Sequence, residues 1–229
     1  MLKKPYFTAE TMKFLHNLSR NNNRDWFNEN KLRYEDTVRS PALQFITDIG
    51  DDLAALSPHF LAQPRKVGGS LMRIYRDVRF GKDKRPYKTN IGIQFRHEQG
   101  RDVHAPGFYL HIEPGECFVG AGIWRPDSLA LGKIRDRICE QSEQWQSVIN
   151  DKPFNKRFDL SGDALVNAPR GYAKDHPMIE DLKRKDFIAI TKMSDESILS
   201  KQCMKQVFEN FKRAEGYMQF LCKALELRY

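Results

Sequence analysis

Cysteine is scarce and scattered: Cys117, Cys139, Cys203 and Cys222 are the four in 229 residues, and no Cys-x-x-Cys occurs. That removes a zinc knuckle and a dithiol redox pair, and Cys203 and Cys222, set in an apolar helical pattern, read as inert core thiols. No apolar run approaches the roughly 18 residues of a membrane span. The opening Met1-Leu2-Lys3-Lys4-Pro5-Tyr6 has a basic start with no apolar stretch behind it, so no signal peptide and a cytoplasmic location are expected. Gly81-Lys82 lacks the glycine spacing and the following Ser or Thr of a phosphate-cradling P-loop. With 14 glycines and 11 prolines against 40% apolar and 30% charged residues, collagen-like and disordered classes are excluded.

Positive charge is what the chain has in excess. Lys and Arg number 38 against 30 Asp and Glu, a net +8 that inclines the surface toward anions: nucleic acid, acidic lipid headgroups or phosphorylated small molecules.

Hydrophobic periodicity sorts the chain into three parts. Residues up to 56 read as helices: Thr8 caps Met12, Phe14, Leu15 and Leu18, Asp25 caps a segment through Trp26, Phe27, Leu32 and Tyr34, and Ser40-Pro41 opens a third carrying Leu43, Ile46, Ile49 and Leu53. In the middle the period changes to two. Segments 70–75, 91–96, 108–113 and 117–123 are rich in β-formers, the last two flanking the Pro114-Gly115 turn, and predict an antiparallel meander of at least four strands with one apolar and one polar face. Asp127 or Ser128 then caps a helix with Leu131, Ile134 and Ile138. Beyond a Pro- and Gly-marked stretch with a short strand near 157–160 come a short helix from Pro177, a strand at 187–190 and a long closing helix from Met204 to Leu225. No repeat or linker divides the chain, which is read as one α+β domain over 1–229.

The densest chemical constellation joins the first two of those strands. Between Arg73 and Lys88 stand seven basic and two acidic residues, far more charge and length than a hairpin connection requires. Arg73, Arg76, Arg79, Lys84 and Lys88 are the candidate anion contacts, since an Arg fork grips phosphate or carboxylate on two prongs and Lys supplies a point charge. Tyr87 is expected to add a hydrogen bond and Asp77 to orient the cations. On the polar sheet face His111 and Glu113 form an acid-base pair, the carboxylate raising the imidazole pKa, and together with Asp77 they make the catalytic set. Gly120 and Gly122 on the neighbouring strand leave room for a ligand. His97, His104 and His111 match no metal-ligand spacing, so no metal is assigned, and His176 reads first as part of a helix cap.

The run Arg73-Ile74-Tyr75-Arg76-Asp77-Val78-Arg79-Phe80, followed by Lys82-Asp83-Lys84 and Pro86-Tyr87-Lys88-Thr89, resembles the family of bacterial and fungal hypothetical proteins catalogued as domain of unknown function 2461. Asn23 with Trp26-Phe27, the block from Phe108 to Gly115, Gly120-Ala121-Gly122 with Trp124 and Pro126, and Pro169-Arg170-Gly171-Tyr172 with Asp175-His176-Pro177 extend the resemblance over nearly the whole chain. It implies a single-domain α+β protein and carries no activity with it. The functional expectation is therefore an anionic small ligand held by the basic loop and polar sheet face, with a nucleic-acid surface using Tyr75 and Tyr109 for stacking as the alternative. No membrane partner is expected.

Overall fold

In the computed structural model, which describes residues 4–79, 81–100 and 105–229, the alternating central segments form β1 (Ile91–Arg96), β2 (Gly107–Ile112) and β3 (Phe118–Ile123). Phe80 of the basic loop and His104 of the three spaced histidines lie outside the described residues. Two later strands, β4 (Asp159–Ser161) and β5 (Phe187–Lys192), complete a five-stranded antiparallel sheet of order β1-β2-β3-β5-β4. Segment 70–75, expected as the first strand of the meander, is tied to its neighbours by isolated bridges, Leu71 to Ile93 and Tyr75 to Tyr87. The strand beside β3 comes instead from β5.

Period-two alternation sets the two faces. Ile93 and Phe95, Phe108 and Leu110, Val119 and Ala121, and Phe187 and Ala189 are all buried on one side. Helices pack over that side. The described α-helices are α1 (Ala9–Arg20), α2 (Arg24–Glu29), α3 (Lys31–Tyr34), α4 (Ser40–Asp48), α5 (Gly50–Leu56), α6 (Ser128–Glu140), α7 (Ser142–Ile149), α8 (Lys152–Asn155), α9 (Ile179–Leu182), α10 (Asp195–Leu199), α11 (Cys203–Arg213) and α12 (Glu215–Ala224), of which α4, α7, α11 and α12 contact the sheet. Phe211 of α11 meets Phe95 and Phe108 with ring centroids 5.7 and 4.7 Å away. Trp145 of α7 is fully buried against Phe220 of α12, and its indole N–H donates to Asp181 Oδ2 at 2.8 Å. Among the described residues no helix is long and apolar enough to cross a membrane.

Local chemistry moved several helix ends from their expected places. Asn23, not Asp25, caps α2: the Trp26 N–H donates to its Oδ1 at 3.0 Å. Ser40 is no cap, because a π-helical turn over Glu35–Arg39 leads into α4 with helical backbone throughout. Pro41 has no N–H to give to the carbonyl of Thr37 four residues back, and the buried Thr11 hydroxyl donates there instead at 2.8 Å. The closing helix is two, α11 and α12, interrupted at Ala214, whose N–H is shared between Asn210 O and Phe211 O. Asp127 does cap α6, accepting from Ala130 N–H at 2.7 Å.

Candidate functional site

Among the described residues no helix lines the hollow on the opposite face of the sheet, and glycine is why it is hollow there. Gly107 pairs with Gly122, and Gly120 with Tyr109, so adjacent strands lack side chains where a floor would otherwise be filled. The resulting cavity, about 290 Å³, is lined by Met72, Gln94, Tyr109, His111, Phe118 and Trp124 around those glycines and closed by Ile188 and Ile190. It lies near the lower end of small-molecule site volumes. Gly122 is obligatory: its φ is +125° and a Cβ would stand 2.0 Å from Phe187 O. At Gly120 a Cβ would meet nothing nearer than 3.7 Å, so that position is a vacancy in the cavity rather than a backbone requirement.

Polar groups gather at one corner of this hollow. His111 and Glu113, two apart on one face, do meet: Nε2 lies 3.3 Å from Glu113 Oε2. On its other side Nδ1 lies 3.1 Å from Tyr109 Oη and 3.3 Å from the amide nitrogen of Asn90. The Asn90 nitrogen is a donor only, so Nδ1 accepts and the imidazole proton resides on Nε2, directed at the carboxylate. Thr89 Oγ1 donates to Glu113 Oε1 at 2.6 Å, and the Phe118 ring stacks on the imidazole at 4.6 Å and 9°. The result is a connected line Thr89–Glu113–His111–Tyr109 whose last member borders the cavity. Burial depresses the His111 pKa and outweighs the opposing pull of Glu113, reversing the direction expected from the carboxylate alone. Tyr109 is pushed up to about 12 by burial, against a hydrogen bond from Asn90.

The basic loop folds largely on itself. Arg79 takes Asp77 in a two-pronged grip through Nε at 3.0 Å and a terminal nitrogen at 2.7 Å, which holds the Asp77 carboxyl down at about 2. Asp77 therefore orients Arg79, while Asp83 serves Arg76 and Arg85. Lys84 Nζ donates to Val78 O at 2.9 Å, closing the loop's tip. Tyr87 faces inward, 3% exposed, with its ring stacked on Phe27 at 4.1 Å and its backbone clasped on both sides by the Asn22 amide. The Tyr75 ring leans on Tyr87 at 5.5 Å, so Tyr75 and Tyr109 do not share a stacking face.

At the neck of the loop the charge is not matched. Lys88, half-buried, has no carboxylate partner among the described residues, and burial together with the positive field of Arg73 lowers its pKa. Arg73, exposed, likewise forms no salt bridge there. The neck adjoins the cavity in sequence on both sides: Arg73 follows the lining residue Met72, and Lys88 precedes Thr89 and Asn90 of the polar corner. Arg85 feels the charge of Glu113 as well as that of Asp83, which brings the loop's far limb within electrostatic reach of the same corner.

His97 and His176 are engaged elsewhere. His97 is buried, with Nε2 2.9 Å from Arg228 O, and His176 accepts from Met178 N–H at 3.0 Å within its own turn. Among the described residues no group of three His, Cys, Asp or Glu could hold a metal ion. Thr89, Asn90, Gln94 and Phe118 enter the site without having been given a role from sequence. Their signal is strand parity: once β1 and β2 are in register, Gln94 falls opposite Tyr109 and Gly92 opposite His111 on the open face.

Searches of curated proteins and of solved structures each returned no match. The family model described as "Conserved hypothetical protein (DUF2461)" matches residues 10–220, a span that includes both the loop and the whole sheet, and the chain belongs to that family.

Proposed function

We propose that this chain binds a small molecule bearing an anionic group, phosphate or carboxylate, at the neck of the basic loop, with the ligand's body in the sheet-face cavity. The observation that carries this reading is Lys88: a half-buried ammonium beside a second cation, with no acidic partner among the described residues, is electrostatically unfavourable until an anion joins it. Arg73 supplies the second contact. Arg76 and Arg79, held by Asp83 and Asp77, and Lys84 at the tip give the loop its shape and add to its field. His111, neutral and oriented by Glu113, is positioned to accept a proton from the bound molecule by way of the Tyr109 hydroxyl that donates to its Nδ1.

Calorimetric titration with inorganic phosphate and pyrophosphate, against wild type and Lys88→Met, tests it. Binding by wild type that weakens about tenfold or more in Lys88→Met is expected, in keeping with loss of a charge-assisted contact. Equal affinity in the two proteins, or no binding in either, refutes the proposal.

A further inference from the structure

The cavity's polar edge specifies more than a charge. Gln94 and Tyr109 stand directly opposite each other on β1 and β2, on the same face, and both line the hollow. Gln94 Oε1 is taken by Arg96 Nε at 3.1 Å, while its amide nitrogen has no hydrogen-bond partner among the described residues and stands as a donor. Tyr109 presents the complementary group. Its hydroxyl lies 3.1 Å from the accepting Nδ1 of His111 and spends its proton there, and the oxygen, which takes one hydrogen bond from Asn90, keeps a second lone pair as an acceptor. A donor and an acceptor thus stand side by side across one strand pair. The rest of the enclosure is mostly apolar: a floor at Gly107, Gly120 and Gly122, with Met72, Phe118, Trp124, Ile188 and Ile190 around it. A floor of bare backbone lets a flat group lie close against the sheet.

We propose that the sheet-face cavity takes a planar heteroaromatic ring carrying adjacent hydrogen-bond donor and acceptor groups, its acceptor on the Gln94 amide nitrogen and its donor on Tyr109 Oη. The inference rests on the binding reading above and extends it, since a heterocycle in the cavity with an anionic substituent at Arg73 and Lys88 is one amphiphilic molecule. Gly92 serves the same geometry. A Cβ there would stand 2.8 Å from Tyr109 Oη and 2.9 Å from Met72 Sδ, so glycine at 92 leaves the phenol the place from which it reaches both His111 and the ring.

Ligand-observed NMR with uracil and hypoxanthine as probes, indole as the ring lacking an acceptor, and inorganic phosphate in parallel tests this. Wild type is expected to bind uracil or hypoxanthine more tightly than indole. Gln94→Met and Tyr109→Phe should each lower that affinity about fivefold or more, as befits one lost hydrogen bond, with indole, which has a donor and no acceptor, little changed by Gln94→Met and weakened by Tyr109→Phe. Gly120→Leu, which fills the vacancy without straining the backbone, should abolish all ring binding, with thermal unfolding confirming that the variant folds. Absence of uracil and hypoxanthine binding to wild type, or affinities unmoved by both Gln94→Met and Tyr109→Phe, overturns the heterocycle assignment. Because phosphate is read in the same series with Lys88→Met, loss of ring binding with phosphate retained sinks this inference alone. Loss of phosphate binding with the ring retained sinks the anion reading and leaves the heterocycle pocket standing.

Discussion

His111 sits between opposing influences, and their balance sets a pH dependence. Burial favours the neutral imidazole, Glu113 favours the charged one, and burial prevails, so the folded-state pKa lies below that of the unfolded chain. As pH falls through the unfolded value of about 6.5, the unfolded chain takes up a proton first. The stabilisation by neutral His111 is therefore complete above that pH and is lost between it and the lowered folded value. Thermal unfolding from pH 7.5 to pH 5.5 should show a steeper decline in wild type than in His111→Gln. Glu113→Gln, which removes the charge that opposes burial, should steepen it further. A His111→Gln protein retaining the full acid sensitivity of wild type would assign that sensitivity to other groups. Lys88 follows the same logic in the alkaline range: its lowered pKa means stability gained as pH rises from the folded value toward about 10.4.

At the scale of the element, Gly122 joins the fold to the site. Its backbone conformation lets β3 pass within touching distance of Phe187 O, and the same missing side chain opens the cavity floor. Gly122→Ala should lower stability by about 1–3 kcal/mol from backbone strain alone, with displacement of β5 adding to it, whereas Gly120→Ala should cost far less. Denaturant unfolding of the two variants side by side checks this; equal losses would contradict the contrast. Strict alternation made β1, β2 and β3 legible from sequence, because Ile91, Ile93 and Phe95, and Phe108, Leu110 and Ile112, admit only one inward face. The place of β5 was not legible. Its residues read as a strand, but its seat beside β3 depends on pairing with Phe118–Ile123 far back in the chain, which no local pattern encodes. The ends of α2 and α4 were misread for a related reason: Asn23 and Asp25 are equally good caps by type, and the carbonyl that Pro41 leaves free is satisfied by Thr11 from another helix. The juxtaposition of His111 and Glu113 was readable from a spacing of two, while Asn90 and Gln94 needed the register.

For the molecule as a whole, charge is local rather than spread. The basic loop holds much of the chain's excess, and Asp77 and Asp83 tie down several of its arginines, which leaves a cationic neck rather than a track along the surface. Binding to single- or double-stranded oligonucleotides should accordingly be weak and indifferent to sequence, with a salt dependence equal to no more than about three phosphate contacts. Fluorescence anisotropy across a salt series measures it. A slope corresponding to about six contacts, with submicromolar affinity near physiological salt, would favour the nucleic-acid surface instead. The strand order also governs how the chain comes to be folded. As synthesis proceeds from the N-terminus, β1, β2 and β3 can pair as soon as they emerge, but the free edge of β3 waits for Phe187–Lys192, with four helices and β4 made in between. Until then a row of unpaired amides and carbonyls beside the most glycine-rich strand stands open to any other extended segment. Of the strand pairings this one closes the longest stretch of chain, so the docking of β5 is expected to be the slow step in completing the sheet, and ribosome-bound chains arrested before residue 187 should expose an edge that full-length chains hide.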